Sequence, residues 1–322
     1  MPGIRLLIKM NKLNEALADL MLDYKLLEAL SAIVDQGGFD RGAQQLNLTQ
    51  SAVSQRIKLL EARLGQPVVV RTPRLVPTPL GQRLLNHAQQ VRLLEHDLLD
   101  RIPALGERTQ RLRLAINADS LATWWAPTLG DFCHRRGVLL DLVVDDQEVA
   151  LRRMRDGEVA GCICATARPV QGARARALGT MRYRVMASPT FAERHFAEGV
   201  THRTLEQAPA ILYGPDDRLH QRYLDVHGIR TPFPYHLCPS SEGVLHMTLA
   251  GIGYAMIPET QAAAGLAAGD LVDLDPQQPL DVPLYWHFWR HGGELLDALT
   301  AHLLSAGDHW LIAPKAPSTA II

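Results

Sequence analysis

The hydrophobic positions between residues 39 and 74 predict two short amphipathic helices, separated by a tight turn near Asn47-Leu48. In the second helix, apolar residues recur at i, i+4, i+7 and i+11, a spacing that places core residues on one helix face. These residues are Val53, Ile57, Leu60 and Leu64. Another face carries small or polar residues at i, i+3, i+4 and i+7, namely Ser51, Ser54, Gln55 and Lys58. The pattern predicts a helix-turn-helix.

The polar face of the second helix has the residue types that read DNA. Small residues let a helix backbone sit deep in the major groove, glutamine can form two hydrogen bonds with adenine, and lysine or arginine can reach phosphate or guanine. We therefore expect this helix to enter the major groove of double-stranded DNA. The candidate contacts are Thr49, Gln50, Ser51, Ser54, Gln55, Arg56 and Lys58. The alternative is the solvated face of an ordinary helical domain.

A second apolar pattern follows from Thr78 to Leu105. Its residues step by three or four positions, which predicts a helix of roughly seven turns with an apolar seam. They are Leu84, Ala88, Val91, Leu94, Leu98, Ile102 and Leu105. One DNA-reading head offers little for this seam to pack against, so we expect a partner copy and two heads on two half-sites. The alternative is a helix that packs within its own chain.

From Arg111 onward, strand and helix patterns alternate. The segments 112–116, 138–144, 159–165, 181–187 and 284–289 read as strands, and helical patterns separate most of them. Repeated alternation of this kind predicts an α/β fold.

The charge distribution separates these two parts. Residues 41–83 hold seven Lys or Arg and one acid, Glu61, which is a local charge of +6 in a chain of formal net charge −1. The rest of the chain therefore sums to −7. A basic module on a near-neutral chain is expected for a protein that binds a polyanion.

Length and composition limit the function classes. At 322 residues with 47% hydrophobic content, the chain can form two or three domains with buried cores. No apolar run approaches the roughly 18 residues of a membrane span, and the N-terminus lacks a convincing secretory signal. The four cysteines show no metal-binding spacing, and no catalytic motif is present. We expect a reduced, cytoplasmic protein that has no metal or cofactor and is not an enzyme.

Four motifs resemble the winged-helix signature of LysR-type transcriptional regulators. They are Ala43–Leu46, Thr49–Ile57, Leu60–Gly65 and Arg71-Thr72. The match continues through Pro77-Thr78, and Gly81 opens a long helix as in that family. The resemblance implies an N-terminal winged helix-turn-helix that is mostly α-helical, then a long linker helix, then an α/β two-lobed effector domain like a periplasmic binding protein. In the implied wing, Arg71 and Arg74 approach the minor groove or phosphates; the alternative is that they only make the hairpin soluble.

These patterns and the resemblance suggest domain boundaries. We expect residues 1–22 to be an N-terminal extension that is either loosely attached or not native, because Met21 sits where related chains usually start. The winged helix-turn-helix is expected at 23–80, the linker and dimerisation helix at 81–108, the effector domain at 109–312 and a flexible tail at 313–322. Lobe one would take 111–180 and 285–312, and lobe two 181–284. The cleft between lobes is a natural site for a small ligand.

The run Asn117–Trp124 resembles a subfamily of these regulators that senses lysine and arginine. Further matches are Gly157–Gly161, Ser241-Glu242, Met256–Pro258 and Tyr285–His287, and the similarity runs from Asp23 to about Ala306. A cationic amino acid fits these residue types. A helix N-terminus at Ser120 suits an α-carboxylate, carboxylate side chains suit the amines, and a tryptophan can wall the aliphatic stem or stack on a guanidinium.

The candidate effector-binding residues are Asn117, Asp119, Ser120, Thr123, Trp124, Asp145, Asp216, Asp217, Ser241, Glu242 and Trp286. Each has a structural alternative: Asp119 and Ser120 as helix caps, Asp216 and Asp217 as turn residues, and the tryptophans as core.

We therefore expect a DNA-binding regulator that senses lysine or arginine and controls genes such as a basic amino-acid exporter and amino-acid metabolism. Its expected partners are double-stranded DNA, a second copy as homodimer or homotetramer, and RNA polymerase. The alternative is a LysR-type regulator that answers a different metabolite. An amino-acid-binding transport component is a weaker alternative, because the chain has a basic N-terminal module and no clear signal.

Overall fold

A computed structural model describes residues 23–71, 75–100, 110–145, 147–215, 217–290 and 292–313. The expectations for residues 1–22, Arg74, Asp216 and the tail beyond residue 313 lie outside these ranges. The described chain divides into two compact units. The first contains residues 23–98 with the turn 156–158, and the second contains the other described residues.

The first unit has four helices and a hairpin in its described part. In chain order they are α1 (Tyr24–Asp35), α2 (Phe39–Gln45), α3 (Gln50–Leu64), β1 (Val69–Arg71), β2 (Leu75–Pro77) and α4 (Pro79–Asp100). The two strands pair antiparallel, from Val69 opposite Pro77 to Arg71 opposite Leu75.

The helix-turn-helix prediction is confirmed. The chain turns after α2 at Asn47, which has a positive φ of 53°, and α3 begins after Thr49, whose hydroxyl accepts from Ala52 N at 3.2 Å. The apolar stripe of α3 lies inside: Val53 and Ile57 are fully buried, and the rest of the stripe packs in the same core.

The start of α4 is built into this core. Gly81 lies so close to the residue before β1 that an added Cβ would be 1.9 Å from the Val68 carbonyl oxygen, so only glycine fits. Leu84 and Ala88 are buried in the same core as α1 and α3. The expectation that one head offers little for the seam to pack against was therefore wrong for its first turns, because the unit's own core covers them. From Leu94 on, the seam residues lie outside the described side chains.

The second unit is a seven-stranded mixed sheet with helices and a small two-stranded sheet, which confirms the α/β prediction. Its elements begin with β3 (Gln110–Ile116), α5 (Ala118–Ser120), a π-helical turn (Leu121–Trp125), α6 (Ala126–Arg136), β4 (Val138–Val144), α7 (Gln147–Arg155), β5 (Gly161–Cys164) and β6 (Ala173–Ala187). They continue with α8 (Pro189–His195), α9 (His202–Gln207), β7 (Ala210–Leu212), α10 (Arg218–Val226), β8 (Tyr235–Leu237), α11 (Ser241–Leu249), β9 (Ala255–Pro258), α12 (Glu259–Ala268), β10 (Val272–Asp273), β11 (Leu280–Trp289) and α13 (Gly293–Trp310).

The two long strands β6 and β11 lie side by side within the sheet and pair antiparallel. Their register shifts between Leu284 and Tyr285, where Gly179 lies opposite. On one side of the shift β11 also pairs with β5, which continues through parallel β3 and β4. On the other side β6 pairs with β9 and β10. Both strands therefore connect two parts of the unit.

The prediction that a strand starts at Met181 was wrong, because β6 already begins at Ala173. In residues 173–180, arginines alternate with alanines, and small side chains give little hydrophobic contrast to an alternating pattern. The strand is stabilised by its partner β11, which the local sequence does not reveal.

The C-terminal helix α13 packs closely against β6. An added Cβ at Gly307 would lie 2.3 Å from the Leu178 carbonyl oxygen. Directly after the helix, Ile312 and Thr180 exchange two backbone hydrogen bonds of 2.8 and 3.0 Å. Across the described chain, no helix combines the length and apolar character needed to cross a membrane.

Candidate DNA-binding helix and candidate ligand site

The polar face of α3 is open to solvent. Gln50, Ser51, Gln55 and Lys58 are exposed, and Ser54 is half-buried. The Thr49 hydroxyl already has hydrogen-bond partners within the protein, because it caps the helix and lies 3.0 Å from Ser51 Oγ. A row of small and amide side chains on a rigid helix has the donors and acceptors that match base edges.

The arginine on α3 and the two arginines predicted for the wing are described to different extents. The half-buried Arg56 donates from Nη1 to the Lys25 carbonyl oxygen at 3.4 Å, a contact that links α3 to the first turn of α1. Arg71 lies in β1, but its side chain and the whole of Arg74 lie outside what the structure describes.

In the second unit, Asp119 is the centre of a hydrogen-bonded cluster. Its Oδ2 accepts from the Tyr183 hydroxyl at 2.6 Å, and its Oδ1 accepts from the Ser241 hydroxyl at 2.6 Å. The three residues come from α5, from the middle of β6 and from the first position of α11. Such short contacts are typical of hydrogen bonds to an ionised carboxylate.

Burial raises the pKa of the Asp119 carboxyl above its ordinary value, and the hydrogen bonds from Ser241 and Tyr183 counteract part of that increase. The charge of Asp217 adds to the increase. The hydrogen bonds thus offset only part of the desolvation cost of the charged carboxylate. A cation placed beside it would favour the charged form.

Two further acidic residues act on the same place. Burial raises the pKa of Tyr213, and the charges of Asp119 and Asp145 raise it further, so all three groups lie within electrostatic range. Asp217 holds the Tyr213 backbone, accepting from its N–H at 3.1 Å, and also caps α10 by accepting from Leu219 N at 2.9 Å. Tyr213 itself is 37% exposed, so a ligand can reach its side chain.

The start of the helical segment at residue 118 offers polar groups beside Asp119. Ser120 Oγ and Asn117 Oδ1 are buried and have no hydrogen-bond partner among the described residues. The Thr123 hydroxyl is engaged, donating to the Asp119 carbonyl oxygen at 2.6 Å. The following π-helical turn interrupts the regular helix, a feature that is frequent at functional sites.

Other predicted residues lie apart from this cluster or have other partners. Asp145 forms an ion pair with Arg153. Glu242 is exposed in the first turn of α11. Trp124 is buried and meets the Trp125 ring edge-on, at a centroid distance of 6.0 Å.

Trp286 also has the surroundings of a core residue. It is fully buried, stacks on Phe288 and donates from Nε1 to Thr300 Oγ1 at 2.9 Å. The structure therefore does not bring its indole together with Asp119, and it matches the alternative interpretation of the tryptophans.

Three cluster residues were missing from the sequence interpretation: Tyr183, Tyr213 and Gln261. Gln261, on α12, lies with Oε1 at 3.2 Å from Ser241 Oγ. Tyr183 and Tyr213 follow strand patterns, and Gln261 lies in an alanine-rich helix. None of these contexts signals a site, because the contacts join residues far apart in the chain.

The Asp119 cluster offers carboxylates, hydroxyls and buried helix-end groups, which can bind a polar or cationic ligand. Among the described residues no group of three or more His, Cys, Asp or Glu side chains could hold a metal ion. A polar cluster of this kind, together with an exposed helix-turn-helix in a separate unit, is the arrangement expected of a ligand-responsive DNA-binding regulator.

Comparison with protein families identifies the particular family. Residues 24–82 match the family described as bacterial regulatory helix-turn-helix protein, lysR family, and residues 105–308 match the LysR substrate binding domain. The chain belongs to the LysR family of bacterial transcriptional regulators.

Similar proteins are named as regulators. The HTH-type transcriptional regulator ArgP of Pseudomonas aeruginosa PAO1 is 61% identical over 292 residues, which cover 90% of this chain and 97% of that protein. ArgP of Pseudomonas fluorescens Pf-5 is 57% identical over 299 residues, covering 92% of this chain and 100% of that protein. These names confirm a regulator rather than an enzyme.

Two solved structures are similar over most of the chain. ArgP from Mycobacterium tuberculosis has a TM-score of 0.82 at 37% identity and covers 92% of this chain and 100% of its own. Full-length LysG from Corynebacterium glutamicum with bound effector Arg has a TM-score of 0.72 at 32% identity, covering 90% and 100%.

Proposed function

We propose that this LysR-family regulator senses a basic amino acid, lysine or arginine, in its second unit. Ligand binding there would control how the first unit binds DNA, and thereby transcription. Its target genes would include a basic amino-acid exporter and genes of amino-acid metabolism. The observation that carries the proposal is the Asp119 cluster, in which an incompletely compensated carboxylate lies beside further acidic groups and an accessible tyrosine. The bound effector Arg in the similar LysG structure supports the same ligand class.

The proposed binding mode divides the ligand between two kinds of group. The helix start at residue 118, with Asn117 and the unpartnered hydroxyl of Ser120, would take the α-carboxylate. Asp119, Ser241 and Asp217 would surround an ammonium or guanidinium group, since such groups need hydrogen-bond acceptors and negative charge.

The proposed effector domain has two lobes, resembling a periplasmic binding protein, with lobe one at 111–180 and 285–312 and lobe two at 181–284. The shift in register between Leu284 and Tyr285 supports a hinge near this position, because β11 pairs with β5 only from Tyr285 on and β6 pairs with β9 only from Tyr183 on. The ligand can change the lobe arrangement only if it binds one arrangement more tightly than the other.

The proposed DNA-binding unit is a winged helix-turn-helix in which α3 reads the major groove and the β1–β2 hairpin is the wing. The exposed side chains of Gln50, Ser51, Gln55 and Lys58 support this role. We further propose a homodimer or homotetramer formed through the later turns of α4, contact with RNA polymerase, and a cytoplasmic location. Two heads on two half-sites are the usual geometry for such domains.

Calorimetry with L-arginine, L-lysine and L-citrulline tests the ligand class. Citrulline has nearly the shape of arginine without its positive charge, so the proposal predicts heat with arginine or lysine and much weaker binding of citrulline. Equal affinity for citrulline would argue against recognition by carboxylates. Absence of heat with both basic amino acids would favour a LysR-type regulator of a different metabolite.

DNA binding is tested separately, with a labelled fragment of the gene's own regulatory region. The proposal predicts a shifted fragment at moderate salt and a change in affinity or footprint when the basic amino acid is added. Loss of all binding when unrelated competitor DNA is added would contradict specific recognition.

A further inference from the structure

The hydrogen bonds around Ser241 contain a conflict that a turned Gln261 amide resolves when Asp119 is ionised. Ser241 Oγ lies 2.6 Å from Asp119 Oδ1 and 3.2 Å from Gln261 Oε1. Both of these atoms are acceptors, whereas a serine hydroxyl has a single hydrogen to donate. The shorter contact, to a carboxylate, is the stronger one and takes that hydrogen.

Gln261 therefore has to present a donor to Ser241. Turning the terminal amide by half a rotation exchanges its oxygen and nitrogen, so that Nε2–H donates to a lone pair of Ser241 Oγ. The result is a directed chain of hydrogen bonds, from the amide of Gln261 through the hydroxyl of Ser241 to the carboxylate of Asp119. Tyr183 donates to the other carboxylate oxygen at 2.6 Å.

We infer that Gln261 is a positioning residue for effector recognition: its amide commits the Ser241 hydroxyl hydrogen to Asp119, and so keeps that carboxylate oriented and charged for a cation. The inference rests on the proposed function, because it assigns Asp119 the role of binding the cationic group. Gln261 itself lies on α12 and acts through Ser241.

The polar and charged groups around Asp119 affect its pKa, and therefore the pH dependence of effector binding. Tyr183 on β6 donates to it, the charge of Asp217 at the start of α10 disfavours its ionisation, and its own charge acts on Tyr213 after β7. Arg222 on α10 acts on Tyr183. Weakening the hydrogen bond from Ser241 destabilises the ionised form and raises the pKa of Asp119. As the pH falls, affinity for a cation is then lost at a higher pH than in the wild type.

The test is a double-mutant cycle measured by calorimetry with L-arginine at about pH 8 and about pH 5.5. Gln261→Met keeps the length of the side chain and removes the donor. One hydrogen bond corresponds to roughly a threefold or greater loss of affinity, and we expect the loss to be larger at the lower pH. In a Ser241→Ala background, Gln261→Met should have no further effect, because the residue through which it acts is absent.

Two additional variants sharpen the test. Gln261→Leu also removes the donor and adds no charge, so it should lower arginine affinity as Gln261→Met does. Gln207→Met, at an exposed position of α9, is the matched control and should change nothing.

The inference is overturned if Gln261→Met leaves arginine affinity unchanged, if it causes the same loss in both backgrounds, or if the pH profile does not move. These outcomes require that the wild-type protein binds arginine. If it binds neither arginine nor lysine, the proposed function itself is wrong, and the two failures are thus distinguished.

Discussion

Replacing Asp119 by asparagine should separate ligand binding from stability. The side chain keeps its shape, and the amide oxygen can still accept from Tyr183 or Ser241, but the charge that would hold the cation is lost. Removing one partner of a desolvated charge pair costs about 2–5 kcal/mol. Because Asp217 remains nearby, we expect the lower end, about 2 kcal/mol or roughly a 30-fold loss of arginine affinity.

The stability of the ligand-free protein should respond in the opposite direction. The folded-state pKa of Asp119 is raised, mainly by burial, so the folded state holds this proton more tightly than the unfolded chain. Stability therefore falls as pH rises from the ordinary value of 3.8 through the folded-state pKa, and the loss persists at neutral pH. An uncharged asparagine removes that loss, so the ligand-free melting temperature near pH 7 should be equal or higher.

Thermal unfolding with and without L-arginine measures both effects. At about 100 times the wild-type Kd, arginine should stabilise the wild type by about 2.7 kcal/mol, and a 30-fold weaker variant by only about 0.9 kcal/mol. Asp297→Asn, at an exposed carboxylate on α13, is the matched control and should retain the full effect. A full arginine-dependent shift in Asp119→Asn would refute the role of this carboxylate.

Three further predictions address other parts of the chain. Gln55→Ala should weaken specific DNA binding by about 1–3 kcal/mol without changing arginine affinity, and unchanged affinity for the promoter fragment would exclude base reading. Gly307→Ala should lower the urea midpoint, because its Cβ would lie 2.3 Å from the Leu178 carbonyl oxygen and overpacking costs about 1–3 kcal/mol; an unchanged midpoint would contradict this close contact. Burial lowers the pKa of His220 to about 3 from 6.5, so the folded protein loses stability as pH falls through this interval, and His220→Phe should weaken that pH dependence in urea unfolding. A pH dependence as steep as that of the wild type would count against the His220 prediction.

Local patterns were sufficient for the helix-turn-helix. Val53, Ile57 and Leu60 repeat with the period of a helix, and a cap at Thr49 marks where α3 begins, so the sequence carries both the face and the boundary. The seam of α4 shows the limit of the same reasoning. Its period predicts an apolar face, but whether Leu84 meets its own core or another chain depends on where the helix is placed in space.

The run beginning at Asn117 suggested the kind of ligand that we propose, and Asp119 was a candidate from the sequence alone. What the sequence could not provide was the set of residues that surround Asp119. Tyr183 and Gln261 have no local signature, and their contacts with Asp119 and Ser241 join positions 64 and 20 residues apart.

Periodicity and short motifs in the sequence were enough to indicate the family, the helix-turn-helix and the residue types that suit a basic amino acid. The folded chain showed which carboxylate is desolvated, which hydroxyls donate to it, and that Trp286 lies in the core. Desolvation and hydrogen bonding depend on distances between side chains, and these distances are set when β6, α11 and α12 pack together.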